Sequence, residues 1–203
     1  MKRPIIAPEQ SLTFSDYFRL NLFVEDVANH FGYQYEKKSL DFTSRSDKTF
    51  DYNELTAVLE RNVLSVDLTS ETARREFLIA PVLSKLIEIT TLKIRVEYPI
   101  EINHQLKGNF DYLLKSKRNF VLIEAKNADL VRGFTQLAVE LIAFDKADEN
   151  EQEIIYGAIS IGDIWRFGAL HRADKLLLED VGLFRVPLDL KDLMQILIGI
   201  LEN

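Results

Sequence analysis

The 203-residue chain contains no cysteine, so it can build neither a disulfide framework nor a thiolate metal site. Its three histidines, His30, His104 and His171, are too scattered to nominate a zinc site. It has no Gly-rich phosphate loop and no Gly-x-Ser-x-Gly elbow, which removes the commonest nucleotide-binding and serine-hydrolase readings. Charges interrupt every apolar run well before the roughly 20 residues that a bilayer requires. The opening "MKRPIIAPEQ" lacks the apolar stretch of a secretory signal. The expectation is therefore a soluble, cytoplasmic protein with no membrane partner. Internal repeats, low-complexity tracts and linkers are also missing. So is an excess of positive charge: a net charge of −7 argues against a protein that coats nucleic acid indiscriminately.

What is present is a chain that can fold on its own core, 47% hydrophobic and 28% charged. Its length suits one globular unit. Residues 69–203 read as the core, and residues 1–68 as a helical and strand extension packed on it. Charge is unevenly spread. Residues 71–133 carry eleven Lys and Arg against eight Asp and Glu, a balance of +3 that leaves −10 for the rest. A locally basic middle is compatible with contact to a polyanion; scattered surface charge is the plainer reading.

Ser15 can cap a helix from about Asp16 to His30, with Gly32 as a stop. "YQYEKKSLDF" reads as a strand, "TSRSDK" as a turn and "NELTAVLERNVL" as a helix. "TSETARREFLIAPVLSKLIEI" reads as one helix that bends near Ala80, because Pro81 removes a backbone donor. Then "LKIRVEYPIEI", "GNFDYLLKS" and "NFVLIEAK" follow as three strands joined by short loops, which predicts an antiparallel meander. "DLVRGFTQLAVELIAFDKA" has helical spacing, with Glu140 expected to face solvent. "EIIYGAISIGDIWRFGAL" reads as one or two strands around a Gly162-Asp163 turn, and "LKDLMQILIGILE" as a last helix. Trp165 and Phe167 could stack on bases, but core or dimer packing is the better reading.

The third strand of the meander ends abruptly in charge. Glu124 and Lys126, two residues apart, share a face, and pairing across the "KSKRN" turn could bring Asp111 close to Glu124. Two clustered carboxylates repel unless a cation joins them, and hard oxygen ligands suit Mg²⁺, with the Ala125 carbonyl as a further donor. Such a centre can polarise a phosphate and activate water. Lys126 could orient that water, stabilise the developing charge or, with its pKa lowered, act as general base. The plainer alternatives are a solvated strand-end ion pair for Glu124 and Lys126 and a surface carboxylate for Asp111.

The arrangement "GNFDYLLKSKRNFVLIEAK" followed by a glutamine-bearing helix resembles the PD-(D/E)xK nuclease superfamily, with Asp111, Glu124 and Lys126 at its motif positions. The proline of the motif's name is absent; Asn109 and Phe110 precede Asp111. The helix "ETARREFLIAPVL" is similar to the one that opens the nuclease domain of type I restriction enzyme motor subunits, with Glu71, Arg75, Ile79 and Pro81 matching. The resemblance covers roughly residues 69 to 165. It implies a mixed α+β, restriction-endonuclease-like fold with core order αβββαβ and Mg²⁺ or Mn²⁺ held by Asp111, Glu124 and Ala125. It further implies Glu71 as the helical site carboxylate, Glu76 being the fallback, and Gln136 as an accessory residue. Glu71 could instead be a first-turn acid paired with Arg75. The expected activity is hydrolysis of DNA, with RNA left open. The alternative is a catalytically silent member of that fold serving as a binding or assembly module, possibly a homodimer.

Overall fold

The computed structural model of the protein describes residues 5–42, 50–117, 119–148 and 152–202. The turn expected over 43–48 lies outside them. Eight strands form one mixed sheet flanked by helices on both faces.

The first helix is two. α1 (Phe14–Arg19) begins at Thr13, two residues before the expected Ser15 cap, because Asp16 Oδ2 accepts from both the Thr13 amide (2.8 Å) and its hydroxyl (2.7 Å). Asn21 then adopts φ 52°, a left-handed conformation no helix can continue through, and α2 (Val24–His30) restarts the chain. After β1 (Gln34–Lys38) and α3 (Asn53–Ser65) comes the segment expected to be one bent helix. It is α4 (Glu71–Arg74), a π-helical turn (Arg75–Ile79) and α5 (Ala80–Ile89). The irregularity sits one turn before Pro81. Proline leaves the Phe77 carbonyl without its helical donor, and the Asn62 side-chain amide of α3 satisfies it at 2.8 Å.

β2 (Lys93–Asn103), β3 (Leu106–Lys115) and β4 (Phe120–Ala125) form the antiparallel meander. Next come α6 (Leu130–Ala147), β5 (Ile154–Ser160), β6 (Ile164–His171), β7 (Leu176–Asp180), β8 (Phe184–Arg185) and α7 (Leu190–Glu202). The sheet order is β1-β7-β6-β5-β4-β3-β2, with β8 on β6; β4–β5 and β1–β7 are parallel, the other pairs antiparallel. β7 and β8 went unread in the sequence, and β7 is what joins β1 of the N-terminal segment to the same sheet.

β4 is buried on both faces. Val121, Ile123 and Ala125 enter the core shared with α5 and α7, while Phe120 and Leu122 enter the core shared with α1, α2 and α6. Trp165 and Phe167 are fully buried, so neither can stack on a base, and the Trp165 indole donates to the Gly162 carbonyl at 3.1 Å. Among the described residues no helix is long and apolar enough to cross a membrane.

Helix α6 reaches the sheet over small residues. A Cβ on Gly168 would lie 2.8 Å from Phe134 Cε2 and 3.1 Å from the Leu178 carbonyl, and the latter is backbone that cannot swing away. Gly168→Ala should therefore destabilise the protein by about 1–3 kcal/mol, read as a lower urea midpoint with an unchanged slope.

Candidate active site

The β3–β4 register pairs Tyr112 with Ile123, which continues to Asp111 opposite Glu124. The expected approach of the two carboxylates is what the sheet delivers. Asp111 Oδ2 accepts from the Ala125 amide at 2.8 Å, so the acid of one strand clamps the end of the next. Lys126 turns its ammonium back onto Glu124 Oε1 and donates to the Ala125 carbonyl at 2.9 Å. Its amide bonds the Ser160 carbonyl at 2.8 Å, which ties the strand end to β5.

Two helices complete the cluster. From the N-terminus of α4, Glu71 Oε2 lies 3.9 Å from Lys126 Nζ, whereas Glu76 is exposed and does not line the site cavity. α4 is held in place by Arg74, whose guanidinium reaches the Ile161 carbonyl (2.6 Å) and Asp163 (2.9 Å) in the β5–β6 turn. Arg75 does not pair with the Glu71 side chain. It stacks over the Tyr112 ring at 5.1 Å and sits 3.6 Å from both Asp111 and Glu97. From α6, Gln136 Nε2 bridges Glu124 Oε1 (2.6 Å) and Glu140 Oε1 (2.9 Å). Gly133 lets this helix come close: a Cβ there would meet Ile159 at 2.7 Å and the Lys126 stem at 3.2 Å.

Glu140 corrects the sequence reading. It was expected to face solvent and is fully buried. The near-continuous apolar run of α6 only hinted at this; the tertiary structure buries every residue from Gly133 to Phe144 and leaves no solvent face there for an acid. Phe18 was also missed; its ring covers the Lys126 ammonium at 5.6 Å, bringing the N-terminal segment to the site. Its spacing marks Phe18 as an apolar packing residue of the first helix, and nothing in it pointed to Lys126.

Asp111, Glu124, Lys126, Glu71 and Gln136 all line one solvent-open cavity of about 420 Å³. Burial, then the charges of Glu140 and Asp111, push the Glu124 carboxyl well above its ordinary range despite Lys126. Two buried carboxylates this close resist ionising together, and burial pushes both upward. Burial works against the Lys126 charge, but Glu124 first, then Glu71 and Asp111, more than compensate and leave its pKa raised. That direction opposes a general-base role for Lys126 and favours a charged, donating one.

Among the described residues no group of three or more His, Asp or Glu is arranged to hold a metal ion by itself. The hard oxygens here are two carboxylates and one carbonyl, from Asp111, Glu124 and Ala125. Glu124 Oε2 is buried without a partner. Such a set suits a small cation that keeps several waters, Mg²⁺ or Mn²⁺. The histidines stand apart, at the end of α2, in the β2–β3 turn and at the end of β6.

A second buried acid shows the contrast. Glu179 in β7 is met by Lys37 (2.7 Å), Arg166 (2.8 Å) and the Tyr35 hydroxyl (2.7 Å), which ties β1 and β6 to β7. Its charge is matched within the fold; that of the Glu124 and Glu140 pair is not. No protein-family model, curated protein or solved structure matches this chain.

Burial pushes Glu140 up to about 8, against the lowering influence of its contacts with Glu124 and Gln136. Between its ordinary value and about 8 the folded state holds a proton that the unfolded chain releases. The resulting stabilisation is complete below about pH 4.5 and lost as pH rises through about 8. Without divalent metal, the melting temperature should fall across that window. Glu140→Gln should flatten the fall and melt higher than the wild type above pH 8; parallel profiles for the two proteins would contradict this.

Proposed function

We propose that the protein is a metal-dependent nuclease of the PD-(D/E)xK, restriction-endonuclease-like kind that hydrolyses phosphodiester bonds in DNA. The observation that carries this reading is the convergence of Asp111, Glu124, the Ala125 carbonyl and Lys126 at one strand end, with a buried Glu124 oxygen left without a partner. The helix, three-strand, helix, strand order that surrounds it supports the same reading.

Asp111, Glu124 and the Ala125 carbonyl would hold Mg²⁺ or Mn²⁺, which when bound polarises a phosphate oxygen and makes water more acidic. The chain's own groups do the rest. Gln136, by donating to Glu124 Oε1, holds the carboxylate in place and leaves Oε2 without a partner. Arg75, beside Asp111 Oδ1, offsets part of the carboxylate repulsion that an approaching phosphate meets. Lys126 stays charged, and its ammonium can leave Glu124 to donate to the attacking water or to charge building on the phosphate. Glu71, 3.9 Å from that ammonium, attracts it and limits where it can swing. Phe18 screens it from bulk water.

A second reading rests on the same ammonium. Lys126 already neutralises Glu124 and occupies the Ala125 carbonyl, so the cluster is satisfied in part with no metal at all. A protein of this fold kept as a binding or assembly module, or as a homodimer, would need nothing more.

The two separate on metal. Mg²⁺ and Mn²⁺ should raise the melting temperature of the wild type by mass action and leave that of Asp111→Ala unmoved. Cleavage of linear or branched DNA should fall at least ~100-fold in Asp111→Ala and in Lys126→Ala. A wild type that neither binds metal nor cuts would leave the binding-module reading standing.

A further inference from the structure

At the opposite end of β3 and β4 from the carboxylates lies a second cavity, of about 520 Å³. Lys93, Lys115 and Lys117 line it together with Leu92 and the Phe120 ring, and among the described residues no carboxylate does. Lys115 stands over Phe120 at 5.1 Å, an aromatic face that aims the ammonium. None of the three lysines pairs with an acid among the described residues. Elsewhere Lys37, Lys38 and Lys85 each take a glutamate, and the chain has acids to spare, 32 Asp and Glu against 25 Lys and Arg. Lys93 and Lys115 are direct cross-strand partners. Like charges set opposite each other in a sheet are destabilising, a cost that an anion between them removes.

The cavity is connected to the active site by geometry. Lys115 and Asp111 are four residues apart on one strand, hence on the same face and roughly 13 Å apart. On the neighbouring edge strand β2, Arg95 lies between Lys93 and Glu97 on that face, exposed, with its guanidinium 4.9 Å over the Tyr98 ring. Glu97, the acid nearest along the strand, is taken by Arg75. Roughly 13 Å spans about four steps of a duplex strand at 3.4 Å each.

We propose that this lysine cavity and Arg95 bind backbone phosphates of a nucleic acid, holding the strand along the β2 edge so that it runs toward Asp111 and Glu124. The choice of nucleic acid as ligand rests on the nuclease reading. The contacts are to phosphate alone and carry no sequence preference. The site also gives a physical reason for the locally basic stretch of an acidic chain, since the rest of the surface repels a polyanion and this edge accepts one.

The test measures binding without cutting. Anisotropy of a labelled 20-base-pair duplex is followed in EDTA from 50 to 200 mM salt, for wild type, the Lys93→Ala/Lys115→Ala/Lys117→Ala variant, the triple Lys→Arg variant and Arg95→Ala. The triple alanine variant should bind at least ~10-fold more weakly at the lowest salt, with its salt slope reduced by about one per lysine. Arg95→Ala should lose about one further unit, and the arginine variant should keep the wild-type slope. Matching melting temperatures establish that the variants fold. An alanine variant that binds like the wild type overturns the proposal, as does a free nucleoside triphosphate that occupies the cavity more tightly than the duplex. Loss of binding in the variant together with a wild type that never cuts would leave the cavity assignment standing and remove the nuclease reading. Cutting by the wild type with unaltered binding in the variant would do the reverse.

Discussion

The pairing register of β3 with β4 is the constraint on which the site depends. It sets Asp111 opposite Glu124 and lets Asp111 accept the Ala125 amide, so strand end and carboxylate cluster are one object. A slip by one residue would turn Asp111 and Glu124 into the core that holds Tyr112 and Ile123, and would bring apolar side chains out in their place. The hydrophobic alternation of β4 forbids that slip. The same packing that stabilises the sheet therefore positions the chemistry.

Burial is the second half of the arrangement. Helix α6 lies against the sheet and seals Glu124 from water, which makes a free carboxylate there costly and leaves two ways to relieve it: a proton, or a cation. Lys126 is the cation the chain supplies, and it satisfies only Glu124 Oε1. Glu179 is equally buried but is surrounded by Lys37, Arg166 and Tyr35, and needs nothing from outside. An unmatched carboxylate of this kind is what the proposed metal-dependent site would use. The lysine cavity at the far strand ends is its electrostatic complement, with positive charge that no acid among the described residues matches.

How much of this was legible in the residues can be judged strand by strand. The meander, α6 and α7 could be read because their apolar spacing is regular and their turns short. Asp111, Glu124 and Lys126 were nominated from strand geometry and Glu71 and Gln136 from a motif resemblance, and the tertiary structure brings all five to one cavity. β7 was missed because three leucines before two acids carry no periodicity that separates a strand from a helix. The break between α1 and α2 was missed because it turns on a single left-handed residue, Asn21.

By itself the sequence determined what depends on neighbours along the chain: the alternation of β4, the capping of α4 by Ser70, the proline that empties the Phe77 carbonyl, and the register that a short turn imposes on β3 and β4. Only the tertiary structure decided what depends on partners remote in sequence. It placed Glu140 in the dark beneath Glu124, turned Arg75 to Asp111 instead of Glu71, laid Phe18 over Lys126 and gathered three lysines from two strands and a turn around one cavity. The physical reason is that charge and burial energies depend on distance and solvent access in three dimensions, and neither is a function of spacing along the chain.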